Sequence, residues 1–389
     1  MKRTIPRTAA VLAAMVALGG CLGSATPTGP GAVIGRSMAA VAEGTNLKDV
    51  CPATIVVQTD WHAEAEHGLL YQLLGPHPVI DKERARITSE LVAGAKDTGV
   101  KLEIREGGPA AGFKPVSVLL YDDPAITLGF VSTDEAIAYS STKPTVGIVA
   151  PLDKDPQAIL WDPATYPDVQ SIADLGAKGV KVRYLPNATY MEFLVGQGIL
   201  KREQVDASYD GKLTTFIELG GQVAQQGFGS AEPYEYLTEL DGWHRPVRYQ
   251  YVDETGYRPY RQVVAARPDV IGSYSKCFAK LVPILQQSMV DFVRSPDAAI
   301  TTIESTISAY ANGWKYSIGN ANYAVRTLVA DRLVGNGPDA TLGNFDTSRI
   351  DELIKIAGPI LQQGGAQVKQ GLTANDLVTN QFIDPTIGL

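Results

Sequence analysis

From residue 52 onward the chain keeps switching between two hydrophobic periods, and this alternation constrains the fold more than any other feature. Short apolar runs, "PATIVVQTD" (52–60), "VKLEIREGG" (100–108) and "TVGIVAPL" (145–152), predict buried strands. Between them "AEHGLLYQLLG" (65–75) and "SELVAGAKDTG" (89–99) predict helices. "AITLGFVSTDEAIAYSS" (125–141) holds a strand, then Ser132, Thr133 and Asp134 as cap candidates, then a helix. Strands alternating with helices predict an α/β fold of open, largely parallel sheets.

A Pro/Asp-rich segment, "DKDPQAILWDPATYPDVQS" (153–171), reads as surface and marks a change of neighbourhood. A second strand–turn–helix set follows it: "VKVRYLPNATYMEFLVGQG" (180–198), "TTFIELGGQVAQQGF" (214–228) and "SAEPYEYLTEL" (230–240). "RPVRYQYV" (245–252) and "RQVVAAR" (261–267) are strands that carry the chain back, and 273–294, 297–312, 321–334 and 348–363 are helical. About 350 residues exceed what one core usually organises. The economical arrangement is two α/β lobes joined by two hinge crossovers, residues 51–147 plus 253–389 forming lobe 1 and 148–252 lobe 2. Ligands of open α/β sheets bind beyond strand carboxyl ends, so the cleft between two such lobes is the natural site.

The first residues read as an address. Lys2, Arg3 and Arg7 precede the apolar "TAAVLAAMVALGG" (8–20), too short to span a bilayer comfortably, and "LGGC" resembles a bacterial lipobox that would place a lipid on Cys21. Residues 1–21 are thus expected to be a lipoprotein signal peptide and 22–50 a flexible tether, opening with the uncharged "LGSATPTGPG" (22–31). The mature chain is expected at the extracytoplasmic face of the cell membrane, held by lipid. In that oxidising compartment Cys51 and Cys277 are either a disulfide or two separate buried thiols. A net charge of −8 argues against a nucleic-acid partner.

Catalytic signatures are missing. There is no G-x-S-x-G elbow, no G-x-G-x-x-G after a strand and no Walker-type loop. His62 and His67 are five apart, the wrong spacing for two zinc ligands on one helical face, and no metal or cofactor is expected. A binding reading fits "TDWHAEAEHGLLYQLLG" (59–75) better. Asp60 and Trp61 sit where the first strand leaves its sheet, and His67 and Tyr71 share a helical face. Aromatic rings around one carboxylate suit a flat, nitrogen-rich ring. Glu64 and Glu66 read as solvated first-turn acids.

Asp60, Trp61, His67 and Tyr71, spaced D-W-x5-H-x3-Y, resemble the opening motif of the NMT1/THI5-like substrate-binding proteins of ABC importers, the thiamine-pyrimidine and riboflavin group. Ala63, Glu64 and Glu66 depart from it, standing where that family commonly has Pro, Asn and Asn. "GILKREQVDASYDGK" (198–212), "QQGFGSAEPY" (225–234) and "GLTANDLVTNQFI" (371–383) are similar to the same superfamily. The resemblance implies a periplasmic-binding-protein type II fold and capture without turnover. Asp60, Trp61, His67, Tyr71, Ser132 and Thr133 would contact ligand from lobe 1, with Asp134 a further candidate. Asn187, Thr189, Tyr190, Gln226, Glu232 and Tyr234 would do so from lobe 2. An anionic ligand would need Arg183 or the "PNATY" turn as its positive end. The implied partners are a small molecule and the permease and ATPase subunits of an importer, with the chain itself a monomer. The rivals are a cofactor-using pyrimidine-synthesising enzyme of the same fold, a binder of another aromatic or sulfonate nutrient, and a secreted scaffold.

Overall fold

The computed structural model describes residues 43–389; the expected signal peptide, Cys21 and most of the expected tether lie outside the described residues. The described end of that tether is packed. Leu47 is buried in the core and its N–H donates to the Thr98 carbonyl at 2.8 Å.

Two sheets organise the chain. The first contains β1 (Thr54–Gln58), β2 (Val79–Asp81), β3 (Arg86–Ala93), β4 (Lys96–Arg105), β5 (Leu128–Val131), β6 (Val146–Val149) and the returning β12 (Val263–Ala266), in the order β2-β3-β4-β1-β5-β12-β6. The second contains β7 (Gln157–Trp161), β8 (Val182–Arg183), β9 (Val205–Asp206), β10 (Ala224–Phe228) and β11 (Arg248–Tyr251), ordered β11-β7-β10-β8-β9. The chain leaves the first sheet after β6, enters the second at β7, and returns between β11 and β12. Both sheets are mixed rather than largely parallel: β1 runs parallel to β4 and β5, but β12 is antiparallel to β5 and β6, and β7 to β10 and β11. A strand that re-enters its own sheet from the other lobe arrives from the opposite end, which reverses its direction.

Two stretches differ from their sequence reading. Residues 89–99 form no helix but the turn of the β3–β4 hairpin. Ala, Glu, Leu and Lys favour a helix here, yet Ile87, Ser89 and Leu91 alternate inward on one strand and Val100, Leu102 and Ile104 on the other. Gly94 and Ala95 both take positive φ, as a two-residue hairpin loop requires. Within the surface-like segment 153–171, "QAILW" is β7, buried along its whole length beside the strand that carries Gln226. Flanking Pro and Asp residues mask a five-residue core strand.

The long helix Ser275–Arg294 covers the first sheet, burying Phe278, Leu281, Leu285, Met289 and Phe292 at helical spacing. Cys277 in its first turn is disulfide-bonded to Cys51, just before β1. The helix Thr347–Gln363 packs against two others, Thr133–Ala138 and Thr189–Gly196, which follow strands of different sheets. Among the described residues no helix is long and apolar enough to cross a membrane.

Candidate functional site

The end of β1 is fixed by side-chain and backbone hydrogen bonds, most of them to the end of the neighbouring strand β4 and the residues just after it. The Gln58 side-chain amide donates to the carbonyls of Thr59, Arg105 and Glu106, and the N–H groups of Gly107 and Gly108 donate to Trp61 and Asp60 at 3.1 and 3.0 Å. Only glycine permits this approach. A Cβ on Gly107 would sit 2.1 Å from the Thr59 carbonyl oxygen, and Gly108 has φ +52 with its Cβ position 2.6 Å from the Trp61 ring. Gly107→Ala is therefore expected to cost about 1–3 kcal/mol through overpacking against backbone, read as a lower urea midpoint, and to displace Trp61, read in its fluorescence.

So placed, Asp60 and Trp61 face a cavity of about 1220 Å³ lined from both sheets. Ser132, Asp134 and Glu135 contribute from the end of β5, Asn187, Thr189 and Tyr190 from the turn after β8, and Gln226 and Glu232 from β10 and the helix after it. Ser132 caps its helix and also donates to Asp134 at 2.5 Å, while Tyr257 donates to the other Asp134 oxygen at 2.8 Å. Asn187 holds a left-handed conformation, φ +65, which opens the turn ahead of Thr189. Gln226 is locked by its side-chain oxygen, which accepts from the Leu185 N–H and the Tyr190 hydroxyl at 2.6 and 2.8 Å.

Four expected contacts do not line the cavity. His67 is fully buried behind Asp60, with Nε2 3.0 Å from Asp60 Oδ1 and 3.1 Å from the Gln262 amide nitrogen. It positions the carboxylate from behind. Tyr71, one turn on, shares its face and is core. Thr133 is also buried, its hydroxyl accepting from the Tyr260 N–H at 2.9 Å. Tyr234 packs on Tyr323, ring centroids 5.6 Å apart, because two residues along a helix reverses the direction from Glu232. Arg183 does not serve an anion in the cavity either; it donates to Gln225 and the Ser208 carbonyl. His62 stacks on Trp314 at 4.6 Å, and its Nδ1 is 2.5 Å from Glu106.

Glu64 and Glu66 overturn their reading as solvated acids: they are 5% and 1% exposed. A 3-10 turn, Ala65–His67, rather than a surface helix follows Glu64 and folds both inward. Glu64 lines the cavity. Glu66 accepts from the Ser230 hydroxyl, joining the end of β1 to the end of β10. Burial pushes the Glu64 carboxyl well up, reinforced by Glu66 and Asp60, and it raises Glu66. Glu232, accepting from the Phe228 N–H at 2.6 Å, is pushed up to about 8 by burial and then by Glu235, itself at about 7. Burial likewise carries Glu135 to about 7. Asp60 goes the other way: burial opposes ionisation, but the His67 hydrogen bond and the His67 and Arg261 charges outweigh it.

Other residues in the wall were not foreseen, among them Phe113, Tyr184, Tyr209, Arg261, Gln262, Trp314 and Tyr316. Phe113, 62% exposed at φ +57, stands 6.1 Å from Trp61 between ring centroids. Arg261 and Gln262 end the return crossing, and Gln262 takes φ +53. A polar pair at the mouth of an otherwise apolar strand, "RQVVAA", was the available signal. Among the described residues no three His, Cys, Asp or Glu side chains are grouped to hold a metal ion.

Two mixed sheets that exchange the chain twice, with one cavity walled from both, give this protein the α/β fold of periplasmic binding proteins. Solved structures carry the same arrangement. The aliphatic sulphonate binding protein SsuA of Escherichia coli matches at a TM-score of 0.55 with 14% identity, covering 86% of this chain and 94% of that one. The alkanesulfonate-binding SsuA of Xanthomonas axonopodis pv. citri, bound to MOPS, matches at 0.51 with 13% identity over 84% and 99%. A putative sulfonate ABC transporter protein SsuA of Methylobacillus flagellatus KT matches at 0.50 with 14% identity over 85% and 93%. No family model and no curated protein sequence matches the chain.

Proposed function

We propose that this chain is the extracytoplasmic solute-binding component of an ABC importer, anchored by lipid at Cys21. It captures a small heteroaromatic nutrient, such as a thiamine-precursor pyrimidine, between two lobes and performs no chemistry on it. The observation that carries this reading is a cavity to which residues 51–147, 148–252 and 253–389 all contribute. The solved structures of the same fold, named as binding proteins of periplasmic transport, support the role, and the D-W-x5-H-x3-Y resemblance supports the heteroaromatic ligand. Trp61 and Phe113 offer ring faces, Glu232 and Asp60 offer acceptors, and Gln226, whose oxygen is engaged, offers its amide N–H groups. In this reading the crossings 150–156 and 252–262 are the hinges about which the lobes close.

Incubation of the purified mature protein with cell extract, followed by native mass spectrometry, tests the proposal. A small molecule retained and released unaltered supports capture; its conversion supports the enzyme of the same fold. Retention of a sulfonate would keep the role and replace the ligand. Trp61→Ala is expected to weaken binding by about 1–3 kcal/mol, some fivefold to over a hundredfold, by calorimetry. An unchanged affinity removes the indole from the contact surface.

A further inference from the structure

We infer that the ligand is a planar organic cation whose N–H groups are received by Glu64 and Glu232; the inference rests on the binding reading above and specifies its ligand. The cavity wall carries seven acids, Asp60, Glu64, Asp134, Glu135, Glu192, Glu232 and Glu235, against one cation, Arg261. That cation lies 3.7 Å from Asp60 and feels the charges of Asp155, Asp134 and Glu135, so acids already surround its charge, although its Nε makes no hydrogen bond. Asp134 and Glu135 have donors of their own in Tyr257, Ser132 and the Ser117 N–H.

Glu64 and Glu232 are left with acceptor capacity. Glu64 receives the Gln262 amide at 3.1 Å and lies 3.7 Å from His67 Nε2. Glu232 receives the Phe228 N–H. Among the described residues neither has a lysine or arginine nitrogen within 4.0 Å. Burial favours the protonated form of both in the empty cavity, so a cation that enters displaces those protons. The carboxylate that results accepts about four hydrogen bonds and keeps lone pairs for the N–H groups of the guest.

An independent observation points the same way. Gln262 is 1% exposed and lines the cavity, yet its Oε1 has no partner. A buried orphan acceptor beside Glu64, in a wall that also carries Glu232, calls for donors, and aromatic faces at Trp61 and Phe113 favour a flat cation. A sulfonate or carboxylate would bury negative charge against negative charge.

Three isosteres on one ring test the charge: benzamidinium, benzamide and benzoate, titrated into the mature protein by calorimetry and tryptophan quenching near neutral pH. Benzamidinium is expected to bind at least about tenfold tighter than benzamide, with benzoate weakest. Glu232→Gln, which keeps the Phe228 contact, is expected to erase about tenfold of the benzamidinium affinity and much less of the benzamide affinity. Benzamide or benzoate equal to benzamidinium, or no binding of any of the three at millimolar concentration, overturns the inference. So does a neutral or anionic molecule retained from extract, an outcome that leaves the binding role standing.

Discussion

Raising the pH from about 5 to about 8 is expected to weaken the ligand-free protein, the reverse of ordinary acid unfolding. The cause is a set of carboxyls that the fold holds above their unfolded values: Glu232 at about 8, Glu135 and Glu235 at about 7, and Asp155, pushed up by burial, at about 6. A carboxyl raised in the folded state binds its proton more tightly there than in the unfolded chain. The stability it adds is whole below the unfolded value near 4 and disappears as pH climbs through the folded value. Asp60 is lowered, so its contribution is lost only under more acidic conditions and does not offset the trend in this window. A tenfold tighter hold on one proton is worth about 1.4 kcal/mol, and discounting for solvent screening of partly exposed groups leaves roughly 3–6 kcal/mol for the four together. Urea midpoints across this range measure it. Glu232→Gln is expected to flatten part of the slope, and a midpoint that rises with pH would refute the account.

Removing the disulfide should be nearly as costly. Cys51 and Cys277 are 226 residues apart in sequence, so the bridge shortens a very long loop in the unfolded chain. The chain-entropy model gives about 5 kcal/mol for such a loop, and native bridges usually deliver about 2–5 kcal/mol. The paired Cys51→Ala and Cys277→Ala variant is expected to lose stability in that range and to respond no further to dithiothreitol. Wild-type protein in the reductant should approach the variant. If the variant melts with the wild type, the first sheet holds its own ends without the bridge.

Sequence alone made parts of the site legible and hid others for identifiable reasons. Asp60 and Trp61 were readable because they come just after the β-branched strand β1, and Ser132 because it caps the helix that follows the apolar strand β5. Glu232 was readable from its place near the end of a strand, β10, at the start of the helix that follows. The helix-rich composition of 89–99 misled because the hairpin's evidence is long-range: alternation becomes decisive only when β3 is laid against β4. Strand β7 was masked by flanking Pro and Asp residues. Glu64 and Glu66 look like surface acids to any local rule, and only Gln262 and Ser230, 198 and 164 residues away, reveal that they turn inward. Arg261 escaped notice because its acids come from separate segments, Asp60, Asp134 and Asp155.

The helix Thr347–Gln363 bears on kinetics as well as on shape. It rests on a helix that follows β5 and on another that follows β8, and it ends beside the cavity at Ile360 and Leu361. If the two sheets part to admit or discharge a guest, this apolar seam has to be unzipped first. Residence time is then governed by side chains remote from those that choose the guest, so dwell and selectivity can be tuned separately.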